Sequence, residues 1–278
     1  MKSFRKVLML ILVAFMASSL LACGSNNNDP APVNEGRVIR VGMECAYAPY
    51  NWQEDTATDS NLPIENVPGF FAEGFDVQVA KLIGEKLDAE IVIVKLSWEG
   101  LISALNEGQI DMIIAGMSDT PERDAINFST PYRVPENVVV VNSGSVYEGA
   151  TTLEGLSGAS LLGQKDTIYD WVIDQVPNVN HLPAVENVPN MITRLEQGTV
   201  DGIVMEMDII ESYLPLYPNF RLIKFSEGNG FTVNFNGNCV GMRKTDIELL
   251  NEVNAAFEGE METFNEMYRV AQEAMLEQ

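Results

Sequence analysis

The sequence predicts an α/β protein of two lobes with a ligand cleft between them, built on mainly parallel sheets with helices on both faces. Three observations predict it. Strand-like and helix-like patterns alternate along the chain. The polar residues best suited to hold a ligand follow the C-terminal ends of predicted strands, the edge at which open α/β sheets bind ligands. And the 278 residues, less an N-terminal leader, suffice for two domains of about 100 to 150 residues each.

The leader comes first. Lys2, Arg5 and Lys6 precede an uncharged apolar run from Val7 to Leu21, the pattern of a secretory signal peptide. At roughly 15 residues that run is short of the about 20 a permanent bilayer-spanning helix needs. It ends in Leu20-Leu21-Ala22-Cys23, which resembles the bacterial lipobox and implies cleavage after residue 22 and lipid attachment to Cys23. Residues 23–36, rich in Asn and Pro, then read as a flexible tether. The leader carries basic residues and no acids, so the exported chain is more acidic than the −23 of the whole, which makes nucleic acid and anionic membrane poor partners.

The first lobe is expected over residues 37–134 plus 236–278. Val38–Met43 is a β-rich run, and Phe75, Val79, Leu82, Ile83 and Leu87 fall on one helical face. Ile91–Leu96 reads as a buried strand, followed by Ser97 as an N-cap and a helix carrying Trp98, Leu101, Ile102 and Leu105. Asp111–Ala115 is a third strand, and Thr120-Pro121-Glu122 has the cap, proline and acid of a helix start. The insert Gln53–Pro68 shows no period and is expected to be a surface loop.

The second lobe is expected over residues 135–235. It holds strands at Val138–Val141, Ser160–Leu162, Gly202–Met205 and Phe220–Phe225, and helices over Thr167–Gln175, Val188–Gln197 and a segment through Tyr213. The polar segment Gly228–Asn238 then leads back through Cys239–Met242 to a long amphipathic C-terminal region in the first lobe.

Several chemistries lack their residues. There is one histidine, His181, and no CxxC spacing, so a zinc site of the usual kind has no ligand set and a Ser-His-acid triad no convincing base. No phosphate-binding GxxxxGK[ST] loop occurs. Cys45 and Cys239 are compatible with a disulfide or with two buried thiols.

The runs MECAYAPYNW, GFDVQVAKLIGEKL, SWEGLISALNEGQIDMIIAGMSDTPERDAINFSTPY and VGMRKTDIELL, with looser matches at LEGLSGASLLGQKDT and LEQGTVDGIVME, resemble the extracellular solute-binding proteins of polar amino acid ABC importers. The resemblance implies a type II periplasmic-binding-protein-like fold with two hinge crossings, near Arg133–Pro135 and Asn229–Asn238. It also implies an amino acid ligand, an ABC transporter permease as partner, and no cofactor or metal.

Carried over residue by residue, it places Arg123 and the amides near Ser118 on the ligand carboxylate, with Thr167 adding a contact there. Glu206 falls on the ligand ammonium, Glu44 at the side-chain end, and Tyr47 and Trp98 as sandwiching aromatics. Gln164 belongs to the same set. Ala115, Gly116 and Ile168 stand where relatives carry hydroxyl residues, and Asp166 where they carry glycine, so backbone groups are expected to serve at those points. A carboxylate enclosed at Glu44 calls for a charge partner, which favours arginine or lysine as ligand and leaves glutamine open. An enzyme similar to periplasmic cyclohexadienyl dehydratase and a ligand-sensing module are the alternatives; the pairing of Glu206 with Glu44 argues against the first.

Overall fold

The computed structural model describes residues 36–277. The leader, Cys23 and nearly all of the tether lie outside the described residues. Two five-stranded sheets organise the rest. The first has the strand order Ala89–Lys95, Arg37–Met43, Met112–Ile113, Gly241–Arg243, Ile126–Phe128; the second Asn180–His181, Ser160–Leu162, Gly202–Glu206, Asn137–Asn142, Phe220–Ile223. The chain therefore leaves the first sheet after Phe128, builds the second, and returns at Gly241.

Each sheet is parallel on one side and antiparallel on the other, which corrects the expectation of mainly parallel sheets. Arg37–Met43 pairs in parallel with Ala89–Lys95 along its whole length and with Met112–Ile113. Gly241–Arg243 runs antiparallel to both of its neighbours. In the second sheet Ser160–Leu162 is parallel to its neighbours, whereas Asn137–Asn142 is antiparallel to Gly202–Glu206 and to Phe220–Ile223. The cause is connectivity: a strand that begins where the chain arrives from the other lobe runs opposite to strands that end at that edge.

Val138–Val141 and Gly202–Met205 are wholly buried, as strands covered on both faces require. Helix Phe75–Leu87 packs on the first sheet through Phe75, Val79, Ala80 and Ile83, and meets the C-terminal helices Ile247–Phe257 and Met261–Leu276. Gly259, at φ 80°, supplies the left-handed turn that splits the C-terminal amphipathic region into those two helices.

Other expectations change locally. Gln53–Pro68 is not all loop: Asn51–Glu54 and Leu62–Pro63 join Ala46–Tyr47 and Phe71–Glu73 in a four-stranded antiparallel sheet, whose two-to-four-residue strands are too short to show a period. Trp98–Gly100 is a 3-10 turn ahead of helix Leu101–Asn106, and the Ser97 side chain caps neither. Thr120-Pro121-Glu122 opens only a 3-10 turn, Pro121–Arg123. The third strand shortens to Met112–Ile113, and the segment from Thr167 is a four-residue helix, Ile168–Trp171, followed by a 3-10 turn. Cys45 and Cys239 are buried free thiols.

Candidate functional site

A cleft of about 400 Å³ is lined by Glu44, Tyr47, Trp98, Ala115, Gly116, Ser118, Arg123, Gln164, Thr167, Ile168 and Glu206, joined by Pro135, Asn137, Tyr169 and Phe235. Every ligand-binding position selected from the sequence lines this one space. The four additional residues lie in or beside the crossing segments and at the start of the Ile168 helix.

The lobe-one wall is held from behind by a buried polar network. Asn51 Oδ1 accepts from the amide of Cys45, at 2.8 Å, and its Nδ2 donates to Asp76 Oδ2, at 2.7 Å. Tyr132 donates its hydroxyl to Asp76 Oδ1 and accepts from the amide of Gly116. Asp76 thereby fixes both Glu44, through its neighbour Cys45 at φ 52°, and Gly116. Burial pushes its carboxyl up to about 7, against the hydrogen bonds from Asn51 and Tyr132. Gly116 has φ 60°, and a Cβ there would sit 2.7 Å from Tyr47 Cε1, so a hydroxyl side chain has no room.

Arg123 crosses the cleft. Its Nη1 donates to the Ser118 carbonyl at 2.6 Å and its Nη2 to the Asp166 carbonyl in the other lobe at 3.1 Å, rather than to Glu122 or Asp124. The guanidinium carbon lies 5.2 Å from the Trp98 ring centroid and 5.3 Å from that of Trp171. Burial lowers its pKa to about 10, which leaves it cationic at neutral pH. Asp166 has φ 57°, the left-handed region that glycine favours and Asp tolerates; this turns its carbonyl to Arg123 and to Trp98 Nε1.

Two carboxylates face the same space. Burial raises Glu206 to about 7, opposed by the hydroxyls of Tyr50 and Tyr169 and by Asn238, and its Oε2 has no hydrogen-bond partner among the described residues. Glu44 is likewise pushed up to about 7 by burial, opposed by Gln164 and by the charge of Lys95. Gln164 Nε2 donates to Glu44 Oε2 at 3.3 Å across the cleft and to the Glu186 carbonyl at 3.1 Å. The hydroxyl protons of two selected residues are used within the protein: Ser118 donates to Asn238 Oδ1 and Thr167 to the Gln164 carbonyl. Neither hydroxyl proton is therefore available to a ligand in this structure. Tyr47 and Tyr169 join their hydroxyls across the lobes. Among the described residues no group of His, Cys, Asp and Glu side chains is placed to hold a metal ion.

Two α/β lobes linked by two crossings and meeting over a buried, charge-lined cleft define a type II periplasmic-type binding fold. The chain belongs to the bacterial extracellular solute-binding proteins, family 3, which it matches over residues 39–272. It is similar to a probable histidine-binding protein of Campylobacter jejuni, 27% identical over 256 residues that span 89% of this chain and 91% of the relative. The arginine-binding extracellular protein ArtP of Bacillus subtilis is 24% identical over 269 residues, 96% of each chain. Among solved structures, the amino acid ABC transporter substrate-binding protein AbpA of Streptococcus pneumoniae, bound to L-arginine, aligns with a TM-score of 0.73 at 22% identity, covering 86% of this chain and 96% of that one. Among the described residues no helix is long and apolar enough to cross a membrane.

Proposed function

We propose that this chain is the lipid-anchored substrate-binding protein of an amino acid ABC importer, and that it closes on a cationic L-amino acid, with arginine ahead of lysine. The observation that carries the reading is the charge set of the cleft: one buried guanidinium, Arg123, and two buried carboxylates, Glu44 and Glu206, in a single cavity. A cationic amino acid brings one carboxylate and two cations, so every buried charge finds an opposite and the closed cleft is neutral. Uncompensated burial would cost several kcal/mol per ion. Arg123 takes the ligand carboxylate, Glu206 the α-ammonium, and Glu44 with Gln164 the side-chain cation, while Trp98 and Tyr47 cover the ligand's faces.

Binding alone accounts for the site. Closure is driven because the ligand touches both lobes at once only when they are shut. Lobe one is assigned to residues 37–134 and 236–278, lobe two to 135–235, and Cys23 carries the lipid that keeps the protein beside its permease.

The test is a thermal-shift and calorimetry panel of L-arginine, L-lysine, L-histidine, L-glutamine and L-glutamate on the exported chain, with Glu44→Gln alongside. Saturation at 100 times the dissociation constant adds about 2.7 kcal/mol of stability to whichever ligand's complex forms. Arginine is expected to lead and to lose more affinity than glutamine in Glu44→Gln. A panel that binds only glutamate, or none of the five, overturns the reading.

A further inference from the structure

Strand Asn137–Asn142 begins in the crossing segment, and its first residue lies directly opposite Glu206, the last residue of strand Gly202–Glu206, in the antiparallel register. Directly opposed residues project on the same face of a sheet with Cβ atoms about 4.5 to 5.5 Å apart. Both side chains are more than nine-tenths buried, at 7% and 3% exposure, and both line the cleft. Asn137 Oδ1 and Glu206 Oε2 share a further property: neither has a hydrogen-bond partner among the described residues. An unsatisfied buried acceptor costs about 1 to 3 kcal/mol, so two of them side by side in one cavity wall form a pair that a donor-rich group would satisfy.

We infer that Asn137 is a ligand-binding residue, and that Asn137 Oδ1 and Glu206 Oε2 together accept two of the three protons of a primary α-ammonium. The inference rests on the reading of the cleft as an amino acid site and deepens it. It adds a selectivity that Glu206 alone does not supply, because a lone carboxylate attracts any cation, whereas two acceptors fixed on neighbouring strands demand two N–H donors on one nitrogen. Ligands with an N,N-dimethylated or quaternary α-nitrogen have one donor or none and leave Asn137 unpaired. Ligands with no α-nitrogen leave both acceptors unpaired. The protein is thereby built to take primary α-amino acids and to reject betaine-like and des-amino analogues that share the same side chain and carboxylate.

The experiment measures L-arginine and its des-amino analogue, 5-guanidinopentanoate, by calorimetry on the wild-type chain, Asn137→Ala and Asn137→Asp. Asn137→Ala is expected to weaken arginine about tenfold or more while changing the des-amino analogue less than about twofold. Asn137→Asp, which keeps an acceptor of the same reach, is expected to recover arginine binding at pH 8. Because the comparison is a ratio of two ligands on the same variant, a general loosening of the fold lowers both affinities and leaves the ratio unchanged. An unchanged ratio in Asn137→Ala overturns the inference and assigns the Asn137 carbonyl to a buried water. If wild-type protein binds no arginine, the ligand class fails first; the same ratio is then read with whichever amino acid of the panel binds and its own des-amino analogue.

Discussion

The two poles of the cleft differ in how far the protein satisfies them. At the end proposed for the ligand carboxylate, Arg123 is gripped by two backbone carbonyls, one from each lobe, and flanked by two indole rings. At the end proposed for the ligand's two cations, Glu206 Oε2 and Asn137 Oδ1 are buried and have no hydrogen-bond partner among the described residues, and Glu44 has one long hydrogen bond. The first pole is pre-organised on its lobe-one side, where the Ser118 carbonyl and Trp98 hold the guanidinium, and closure completes it with Asp166 and Trp171. The second holds unfavourable burial that a cation relieves. Position is therefore set at one end of the cleft and driving force is concentrated at the other.

The largest effect that would break this comparison is at the pre-organised pole. Arg123→Ala removes the ligand's counter-charge and also the tie between Ser118 and Asp166, so arginine affinity is expected to fall about 100-fold or more, in line with truncation of a buried charged partner. Calorimetry with a thermal melt of the ligand-free variant checks it. A loss below about fivefold would mean that the backbone amides near Ser118 hold the carboxylate unaided, and that the poles are not as different as they look.

The same contrast explains what was legible in the sequence. Residues that follow the C-terminal ends of predicted strands, from Glu44 to Glu206, all line the cleft. Asn137 is not legible by that rule because it stands at the start of a strand. In a sheet taken to be parallel, strand starts lie at the far edge; Asn137–Asn142 runs antiparallel, which brings its first residue to the binding edge. Phe235 and Pro135 lie in crossing segments with no regular structure to place them, and Tyr169 sits one residue inside a helix only four residues long. The network of Asp76, Asn51 and Tyr132 was hidden for another reason. Asp76 occupies the first turn of an amphipathic helix, where an acid is ordinary, and only tertiary packing shows it to be wholly buried.

A pH series sharpens the second pole, with a smaller effect. Burial in the shut cleft holds Glu44 and Glu206 near 7, and a bound cation beside each pulls its pKa down. Binding a cation then requires both to be deprotonated, so arginine affinity is expected to fall as pH drops from 8 through 7 toward 5, by up to about tenfold per unit for each carboxylate. Glutamine, whose side chain brings no cation to Glu44, should show the shallower slope. Ligand-free stability runs the other way. Glu44, Glu206 and Asp76 hold protons in the folded state that the unfolded chain has released between about pH 4 and 7, so their contribution is present at the acid end of that window and is lost as pH rises through 7. Equal slopes for the two ligands would detach Glu44 from the side-chain cation.

The smallest effect tests whether the lobes are held shut by the cleft or by its rim. Lys165, next to Gln164 in lobe two, pairs with Glu99, next to Trp98 in lobe one, and both side chains are exposed. An exposed pair gains little because water solvates both partners well in the open state and salt screens them in the closed one. Lys165→Ala is accordingly expected to raise the ligand off-rate no more than about fivefold, with a difference that shrinks between 0.05 and 0.5 M salt, measured by stopped-flow tryptophan fluorescence of Trp98 and Trp171. Were the off-rate to rise as much as it does in Arg123→Ala, closure would be governed by a surface latch. The contrast between a positioned pole and a driving pole would then describe the recognition of the ligand and not the motion that encloses it.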